Sequence, residues 1–482
     1  MTAAEAIVCR LGEFHAFEAG EKRFLYLVPA GAIFEVDREA GMVIDRVADG
    51  GLSFGELASD LVQRGVPGSE AGQLIGELLQ AGVIVSGARP ADAPQNAPSV
   101  FPLQTLVLNL TNQCNLSCQY CYEFGADKVA TPEGKPKFMD LETAKASVDF
   151  LLAQSEGRRA IHITFFGGET LMNFPLLKQV VAYANDRAQA QGRSIDFSLT
   201  TNATLLTPAI VEFLSENRIG VTVSMDGPKE MHDRLRVFAN GRGSYDIIEP
   251  KVRFLIQHHR TRPITARVTL TSGVTDVVKI FRHLTQDLGF HEVGFAPVTT
   301  SPNQLYAIES RGMDRVLDEF HLLAGEYLEY ALRGQMHGFT NVSDTLAELH
   351  QGVNKSHPCG AGLGLMGVGP SGDIAPCHRF VDSDAHALGH ISTGIDRQKQ
   401  AEFLRRGHID SKYDCHSCWA RPLCAGGCHH EAFVRYGDTG HPNLHYCDWI
   451  RDWTDTCLKI YGAVSAANPH FLERFAERRV SS

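Results

Sequence analysis

Short apolar runs alternate with amphipathic stretches through the middle of the chain, between residues 103 and 330. The apolar runs cover residues 105–110, 161–166, 195–200, 220–225, 264–270 and 293–297. Between them, apolar residues recur at helical spacing over residues 141–153, 174–189, 208–217, 245–258 and 277–288. Continuous apolar strands that alternate with helices indicate βαβ units and a parallel sheet. We therefore predict an α/β fold built on a partial (β/α)6 barrel, with functional residues at the carboxyl ends of its strands.

The segments on either side of this region have different patterns. Residues 1–96 predict strands at 24–28, 32–36 and 82–85 and two helices at 53–63 and 69–80, which is typical of a winged-helix-like domain. This segment contains 14 Asp and Glu against 7 Lys and Arg, so we do not expect it to bind DNA. Prolines and small residues at 88–98 predict a linker. The predicted domains are residues 1–96, residues 97–335 and a cysteine-rich segment at 336–482.

Composition and charge narrow the functional class. The formal net charge is −11, which does not favour binding to nucleic acid. No apolar run approaches the ~18 residues that a membrane helix needs. The first 14 residues do not have the pattern of a secretory signal. These features predict a cytoplasmic protein with no membrane or nucleic-acid partner.

The 12 cysteines are clustered, with three between residues 114 and 121 and seven between residues 359 and 447. Disulfides are rare in a cytoplasmic protein, so clusters of this kind favour metal ligation. The alternative is a set of buried, unreactive thiols, and we interpret Cys9 and Cys457 in that way.

The first cluster, Cys114-x3-Cys118-x2-Cys121, directly follows the first predicted barrel strand. Iron–sulfur clusters are normally held by four thiolates, so a loop with three would leave one iron open. This motif in this place resembles the radical SAM superfamily. The resemblance implies that Cys114, Cys118 and Cys121 bind a [4Fe–4S] cluster whose open iron chelates S-adenosyl-L-methionine (SAM). One electron from the cluster would then cleave SAM to methionine and a 5′-deoxyadenosyl radical.

The same resemblance implies a set of residues that contact SAM: Tyr120, Gly167, Gly168, Glu169, Ser224 and Arg236. Residues 167–169 end the second strand, as the GGE motif of the superfamily does, and would hold the methionine amino group. Tyr120 would pack near the adenine, Ser224 would lie in the segment that contacts the ribose, and Arg236 would reach the SAM carboxylate. The alternative for Arg236 is a solvated charge on a helix surface.

The second cysteine cluster resembles the SPASM domain, which binds two auxiliary four-iron clusters. By that resemblance the distal cluster is held by Cys415, Cys418, Cys424 and Cys447. The proximal cluster is held by Cys359, Cys377 and Cys428, so either another residue completes it or one iron is open to substrate. The chain would then contain three [4Fe–4S] clusters. The alternative is structural zinc, for which C-x2-C pairs are common ligands.

The N-terminal segment resembles the PqqD-like domains that recognise precursor peptides by adding a strand to a sheet. Together the three segments resemble a peptide maturase, a radical SAM oxidoreductase that receives electrons from a donor. Residues 108–125 resemble the maturation proteins of quinohemoprotein amine dehydrogenase. Those enzymes form thioether crosslinks between Cys sulfurs and Asp or Glu methylene carbons in the small subunit.

Three other functions stay open at this point. A sulfatase-type maturase would use the same clusters to oxidise Cys or Ser to formylglycine. A decarboxylating enzyme, or one that forms carbon–carbon crosslinks in peptides, would share every motif. A noncatalytic iron–sulfur electron carrier needs neither the GGE motif nor an open iron. Spacing alone does not identify a catalytic base.

Overall fold

A computed structural model describes residues 8–86, 101–131 and 133–476. The N-terminal segment comprises β1 (Val8–Leu11), β2 (Phe14–Ala19), β3 (Lys22–Leu27), β4 (Ala32–Val36), α1 (Arg38–Ala48), β5 (Leu52–Ser53), α2 (Phe54–Gln63), α3 (Gly68–Ala81) and β6 (Ile84–Ser86). The two predicted helices are present as α2 and α3, but the prediction of only two helices is wrong because α1 precedes them. Its signal is in the sequence, since Asp37 caps the helix by accepting a hydrogen bond from the Ala40 amide at 2.7 Å.

The N-terminal segment has a core of its own between its helices and one face of a sheet. Strands β2, β3 and β4 form an antiparallel sheet, and β5, β1 and β6 form a second one. Leu25 and Leu27 of β3 pack with Val43 of α1 and Leu57 of α2. Alternation along β3 points Phe24 and Tyr26 to the opposite face, where they join the core of the rest of the molecule.

The middle of the chain follows the predicted order of strands and helices. It comprises β7 (Thr105–Asn109), α4 (Leu141–Gln154), β8 (Ala160–Phe166), α5 (Phe174–Ala190), β9 (Ser194–Thr201), α6 (Pro208–Glu216), β10 (Gly220–Ser224), α7 (Lys229–His232), α8 (Tyr245–His258), β11 (Ile264–Leu270), α9 (Val277–Arg282), β12 (Glu292–Pro297), α10 (Ser310–Leu332) and α11 (Thr340–His350). Strands β7 to β12 are parallel neighbours in sequence order, which confirms the predicted α/β fold.

Along the barrel strands, alternate residues face the hydrophobic core and the interior of the barrel. In β11, Ala266, Val268 and Leu270 are buried in the hydrophobic core, whereas Arg267 and Thr269 line the interior of the barrel. The core-facing residues supply the hydrophobic stabilisation, so the interior is left free to be polar. No helix of the described residues is long and apolar enough to cross a lipid bilayer.

The cysteine-rich segment does not fold apart from the barrel. It comprises β13 (Leu365–Val368), β14 (Asp373–Ala375), β15 (Gly389–His390), β16 (Gly394–Ile395), α12 (Arg397–Gly407), α13 (Arg421–Cys424), α14 (His429–Tyr436) and α15 (Cys447–Ala467). Strand β13 pairs in parallel with β7, so that the sheet extends to ten strands. This pairing was not predicted, because β13 is only four residues long. It brings the second cysteine cluster to the edge of the barrel.

The N-terminal sheet packs against α15 through very small residues. A Cβ atom at Gly462 would lie 3.0 Å from the Cβ of Ala19 and 3.1 Å from ring carbons of Phe17 and Phe24. Glycine is therefore needed on α15 for this close approach.

Polar groups fix the same contact at its edge. His15 stacks on Trp419 with ring centroids 3.7 Å apart and lies 2.7 Å from the Asp455 carboxylate. Arg421 forms a two-point ion pair with Glu13, in which the Nη2–Oε2 distance is 2.7 Å. The sequence predicted a domain joined by a linker, and the structure adds this extensive docking surface.

We expect Gly462→Leu to weaken the docking and to lower the free energy of unfolding by about 1–3 kcal/mol, because an inserted side chain overpacks the contact. The matched control is Gly325→Leu on α10, where a Cβ atom meets nothing within 4 Å. All 3 Trp residues lie in or near the C-terminal segment, so urea unfolding followed by tryptophan fluorescence measures the difference. Equal stability of the two variants would contradict the role assigned to Gly462.

Candidate functional site

The loops that follow β7 and β8 touch at a place where only glycine fits. Gly167 has φ of +115°, and a Cβ there would lie 2.2 Å from the carbonyl oxygen of Thr111. A Cβ on Gly168 would lie 2.3 Å from the carbonyl oxygen of Gln113. The Gly168 and Glu169 amides donate to these same two carbonyls at 3.0 and 2.9 Å. The glycines therefore clamp residues 167–169 against the start of the cysteine loop.

Glu169 is a buried carboxylate that accepts three hydrogen bonds from the protein. It accepts hydrogen bonds from the Thr201 hydroxyl at 2.6 Å, the Asn202 amide at 2.7 Å and the Leu171 amide at 3.1 Å. Burial raises the pKa of Glu169, and the three hydrogen bonds act in the opposite direction. These donors orient the carboxylate at the edge of the cavity described below.

The end of β9 supplies polar residues that the sequence analysis missed. The Asn202 side chain donates to Asn115 at 3.0 Å and lies 3.8 Å from the sulfur of Cys114. The Asn115 amide in turn donates to Thr204 at 2.8 Å. A Thr-Thr-Asn run at a strand end is a signal for polar site residues, although it does not show which loop they contact.

Asp226, just beyond the end of β10, organises a second buried network. Its carboxylate accepts hydrogen bonds from the Tyr120 hydroxyl, from Arg236 Nε at 2.8 Å and from the Thr269 amide at 2.9 Å. The Arg236 guanidinium lies 5.3 Å from the centre of the Tyr120 ring. Burial opposes the charge on Arg236, but Asp226, Tyr120 and Cys118 together raise the pKa of Arg236. Arg236 is therefore a buried ion-pair partner rather than the alternative, a solvated surface charge.

One cavity at the barrel mouth brings the first group of candidate residues together. Its volume is about 490 Å³. All nine residues proposed for the first cluster and for SAM line it: Cys114, Cys118, Tyr120, Cys121, Gly167, Gly168, Glu169, Ser224 and Arg236. The C-terminal segment reaches the same cavity through His378 and Arg379, which directly follow Cys377. The contact of His378 and Arg379 with the barrel cavity was not predicted from the sequence.

Cys114, Cys118 and Cys121 are close enough for the charge on one thiolate to affect the pKa of another. Cys118 and Cys121 both raise the pKa of Cys114, although burial is the main cause and takes that pKa to about 12. Burial likewise raises the pKa of Cys121 to about 11. Isolated buried thiols of this kind stay protonated, whereas metal ligation stabilises the thiolate.

Electrostatic interactions among the seven C-terminal cysteines agree with the two proposed sets, although Cys428 also lines a cavity together with the set of four. Cys359, Cys377 and Cys428 act on one another. The other four act on one another as well: Cys415, Cys418, Cys424 and Cys447. Burial is the main cause of the raised pKa in each shifted thiol and takes that of Cys377 to about 12. Cys457 is fully buried on α15 and belongs to neither set.

Cations lie next to the set of three thiols. Lys355 and Lys412 face Cys359, and Arg379 faces Cys377. Lys412 is 1% exposed, and its Nζ donates to the carbonyl of Ala425 at 2.9 Å. It also faces Cys415 and Cys424, so it lies between the two sets. Positive charge at this place fits an anionic centre made of thiolates and sulfide.

Within the described parts of the chain, no three His, Cys, Asp or Glu side chains converge closely enough to hold one metal ion. Iron–sulfur clusters at the C-terminal cysteines stay a prediction, with structural zinc as the alternative.

Residues 108–284 match the model of the Radical SAM superfamily. The match begins near the end of β7 and ends just beyond α9, so it covers the barrel strands β8 to β11 and about a third of the chain. The chain is 39% identical to an uncharacterized protein of Methanocaldococcus jannaschii over 142 residues, which is 30% of this chain and less than half, 45%, of that protein. It is also 28% identical to the serine-type anaerobic sulfatase-maturating enzyme of Bacteroides thetaiotaomicron, over 73% of this chain and 88% of that enzyme.

Solved structures share the fold. The structure of anSMEcpe with bound AdoMet has a TM-score of 0.64 at 21% identity and covers 76% of this chain and 99% of that one. The structure of Streptococcus suis SuiB bound to its precursor peptide SuiA has a TM-score of 0.50 at 15% identity, with 92% and 98% coverage. Residues 108–284 are thus similar to the Radical SAM superfamily, and the chain shares its fold with anSMEcpe and SuiB.

We expect replacement of Cys114, Cys118 and Cys121 by Ala to lower the iron content after anaerobic reconstitution from about twelve to about eight atoms per chain, since one of three four-iron clusters is lost. SAM cleavage should be lost at the same time. Cys457→Ala is the matched control and should keep all of the iron. Iron and sulfide assays measure both, and four irons in the unaltered protein would contradict two auxiliary clusters.

Proposed function

We propose that this protein is a radical SAM peptide maturase that forms thioether crosslinks between Cys sulfurs and Asp or Glu methylene carbons. The observation that carries the proposal is the shared cavity. Residues proposed to hold SAM line it together with His378 and Arg379, which adjoin a cysteine of the proximal set. A reacting carbon near SAM would therefore lie next to a centre able to accept an electron.

A cluster held by Cys114, Cys118 and Cys121 would, with SAM and one electron from an external donor, supply a radical able to take a hydrogen atom from the substrate methylene. Bond formation between that carbon and a Cys sulfur would release the thiol proton and one electron, so the crosslinked product would have lost two hydrogen atoms. A cluster held by Cys359, Cys377 and Cys428 would supply a first acceptor for that electron.

The residues of the chain have three tasks in this reaction. Glu169, fixed by Thr201 and Asn202, is proposed to accept hydrogen bonds from the methionine amino group of SAM. Tyr120 and Arg236 present a rigid, preorganised surface because Asp226 holds both. The close backbone contact at Gly167 and Gly168 keeps Glu169, the proposed ligand of the SAM amino group, beside the cysteine loop. Such preorganisation places the methylene within reach of the abstracting group.

The N-terminal segment is the proposed binding site for the polypeptide. Strand β4 forms one edge of its sheet, and within the described residues no other strand pairs with that edge. Phe34 of β4 is 42% exposed. An unpaired edge next to an exposed aromatic residue suits an added peptide strand, which gains main-chain hydrogen bonds and a side-chain contact. The structure of SuiB bound to its precursor peptide is similar to this protein in overall fold.

A second candidate is the formation of formylglycine from Cys or Ser in sulfatases. The observation in its favour is the 28% identity to the Bacteroides sulfatase-maturating enzyme over 73% of this chain. The product separates the two candidates, because formylglycine formation consumes the Cys side chain without joining it to another residue.

We expect co-expression with the small-subunit polypeptide of a quinohemoprotein amine dehydrogenase from the same organism to yield crosslinked product. Each crosslink removes two hydrogen atoms and leaves one Cys unable to react with an alkylating reagent. High-resolution mass spectrometry with fragmentation measures both changes and places each bond. An aldehyde at Cys in a sulfatase peptide, with no change in the small subunit, would support the second candidate instead.

We expect Phe34→Asp to weaken binding of the same polypeptide about tenfold, because the apolar contact at the β4 edge is replaced by a charge. Val62→Asp is the matched control, since Val62 is a comparably exposed apolar residue on α2, at 49%. Fluorescence titration of the labelled polypeptide compares the two variants. Equal loss in both, or loss in neither, would show that the edge of β4 is not the binding surface.

A further inference from the structure

Two arginines in the cavity have no role in the network around Asp226. Arg267 lies on β11 between Ser224 of β10 and Gly294 of β12 in the strand register. Arg379 belongs to the C-terminal segment and enters the cavity from the other side. Two parts of the chain that are far apart in sequence thus direct a guanidinium into the same space.

Within the described residues, neither arginine forms an ion pair with a carboxylate. Arg379 Nη1 donates to the Thr299 hydroxyl at 3.1 Å, and its guanidinium lies 4.9 Å from the centre of the Tyr122 ring. These contacts fix its orientation, and Cys377 lies beside it. Burial and the field of Arg379 lower the pKa of Arg267, against the opposite effect of Asp344 on α11. Two guanidinium groups thus line one cavity.

The neighbouring strand leaves space for Arg267. A Cβ atom on Gly294 would lie 3.3 Å from Arg267 Nη1 and 2.7 Å from the hydroxyl oxygen of Thr340. A larger residue at this position would press on the guanidinium. The glycine thus keeps the arginine free to direct its donors into the cavity.

Two guanidinium groups that line one partly enclosed cavity, neither of them in a salt bridge among the described residues, favour an anion bound between them. Arginine binds carboxylates with two parallel hydrogen bonds, which also fixes the orientation of the bound group. We infer that Arg267 and Arg379 bind the side-chain carboxylate of an Asp or Glu residue of the substrate polypeptide. The inference rests on the proposed function and deepens it, because it makes the carboxylate the group that holds the adjacent methylene beside SAM.

The methionine part of SAM also carries a carboxylate, so the test must separate the two sources. Arg236 already lies beside the cysteine loop and is the residue proposed for that group. If the two other arginines bind substrate, their replacement changes discrimination between polypeptides and leaves SAM affinity within twofold. If they bind SAM, the reverse holds.

The experiment is a double-mutant cycle with the small-subunit polypeptide proposed above. Its crosslinked Asp and Glu residues are either retained or changed to Asn and Gln, and binding to the iron-loaded protein is measured by fluorescence titration. The unaltered protein should bind the amide form about tenfold or more weakly, since a hydrogen-bonded charge is lost. Arg267→Met and Arg379→Met should bind both forms alike, whereas Arg267→Lys should keep part of the discrimination. Arg282→Met, at a surface ion pair with Glu326, is the matched control and should discriminate fully.

The possible outcomes distinguish a substrate-carboxylate site at Arg267 and Arg379 from the alternatives. Full discrimination by Arg267→Met and Arg379→Met, both with normal iron content, would overturn the inference. Loss of SAM affinity with unchanged discrimination would assign the arginines to SAM instead. Crosslinking is scored separately: carboxylate discrimination without a thioether product would reject the proposed reaction and keep the carboxylate site. A polypeptide that does not bind the unaltered protein would reject both.

Discussion

The site depends on one close backbone contact, between the loops that leave β7 and β8. Gly167 and Gly168 approach the carbonyl groups of Thr111 and Gln113 so closely that any side chain would collide with them. This contact fixes the position of the cysteine loop relative to the sheet. It also places Glu169 in the lining of the cavity. The polar groups of β9 and the Asp226 network then have a rigid surface to meet. A looser contact would leave three thiols on a mobile loop, with no defined place for a ligand beside them.

The second constraint is the pairing of β13 with β7. It continues the barrel sheet into the C-terminal segment, so that Cys377 and the residues after it reach the barrel mouth. The barrel supplies the proposed SAM site, and the added strands supply the neighbouring proposed electron acceptor. A buried positive charge also lies beside the C-terminal thiols. Lys412 is buried between the two auxiliary sets of thiols, and such a charge is stable there only if an anionic group compensates it.

The N-terminal segment, the proposed site of polypeptide binding, is packed against the C-terminal segment. Its sheet uses one face for its own core and the other for contact with α15. The glycine at position 462 and the stacked pair of His15 and Trp419 make this contact close. Docked in this way, the segment holds a fixed position relative to the C-terminal segment, while the edge of β4 stays unpaired within the described residues. A polypeptide bound at that edge would therefore start from a defined place relative to the cavity.

The sequence by itself determined the periodic elements and the chemistry of the motifs. Apolar runs of strand length, separated by helical periods, were sufficient for β7 to β12, because the core-facing residues of each strand leave a local signal. The division of ten thiols into three sets came from resemblance to known families and stays a prediction. Only the tertiary structure decided which distant residues meet: Asp226 with Tyr120 and Arg236, Asn202 with Cys114, and Arg267 with Arg379. These contacts join strand ends that are far apart in sequence, and single polar residues there have no periodicity to reveal their partners. The short strand β13 and the role of Gly462 escaped prediction for the same reason, since their places are set by the surfaces they contact.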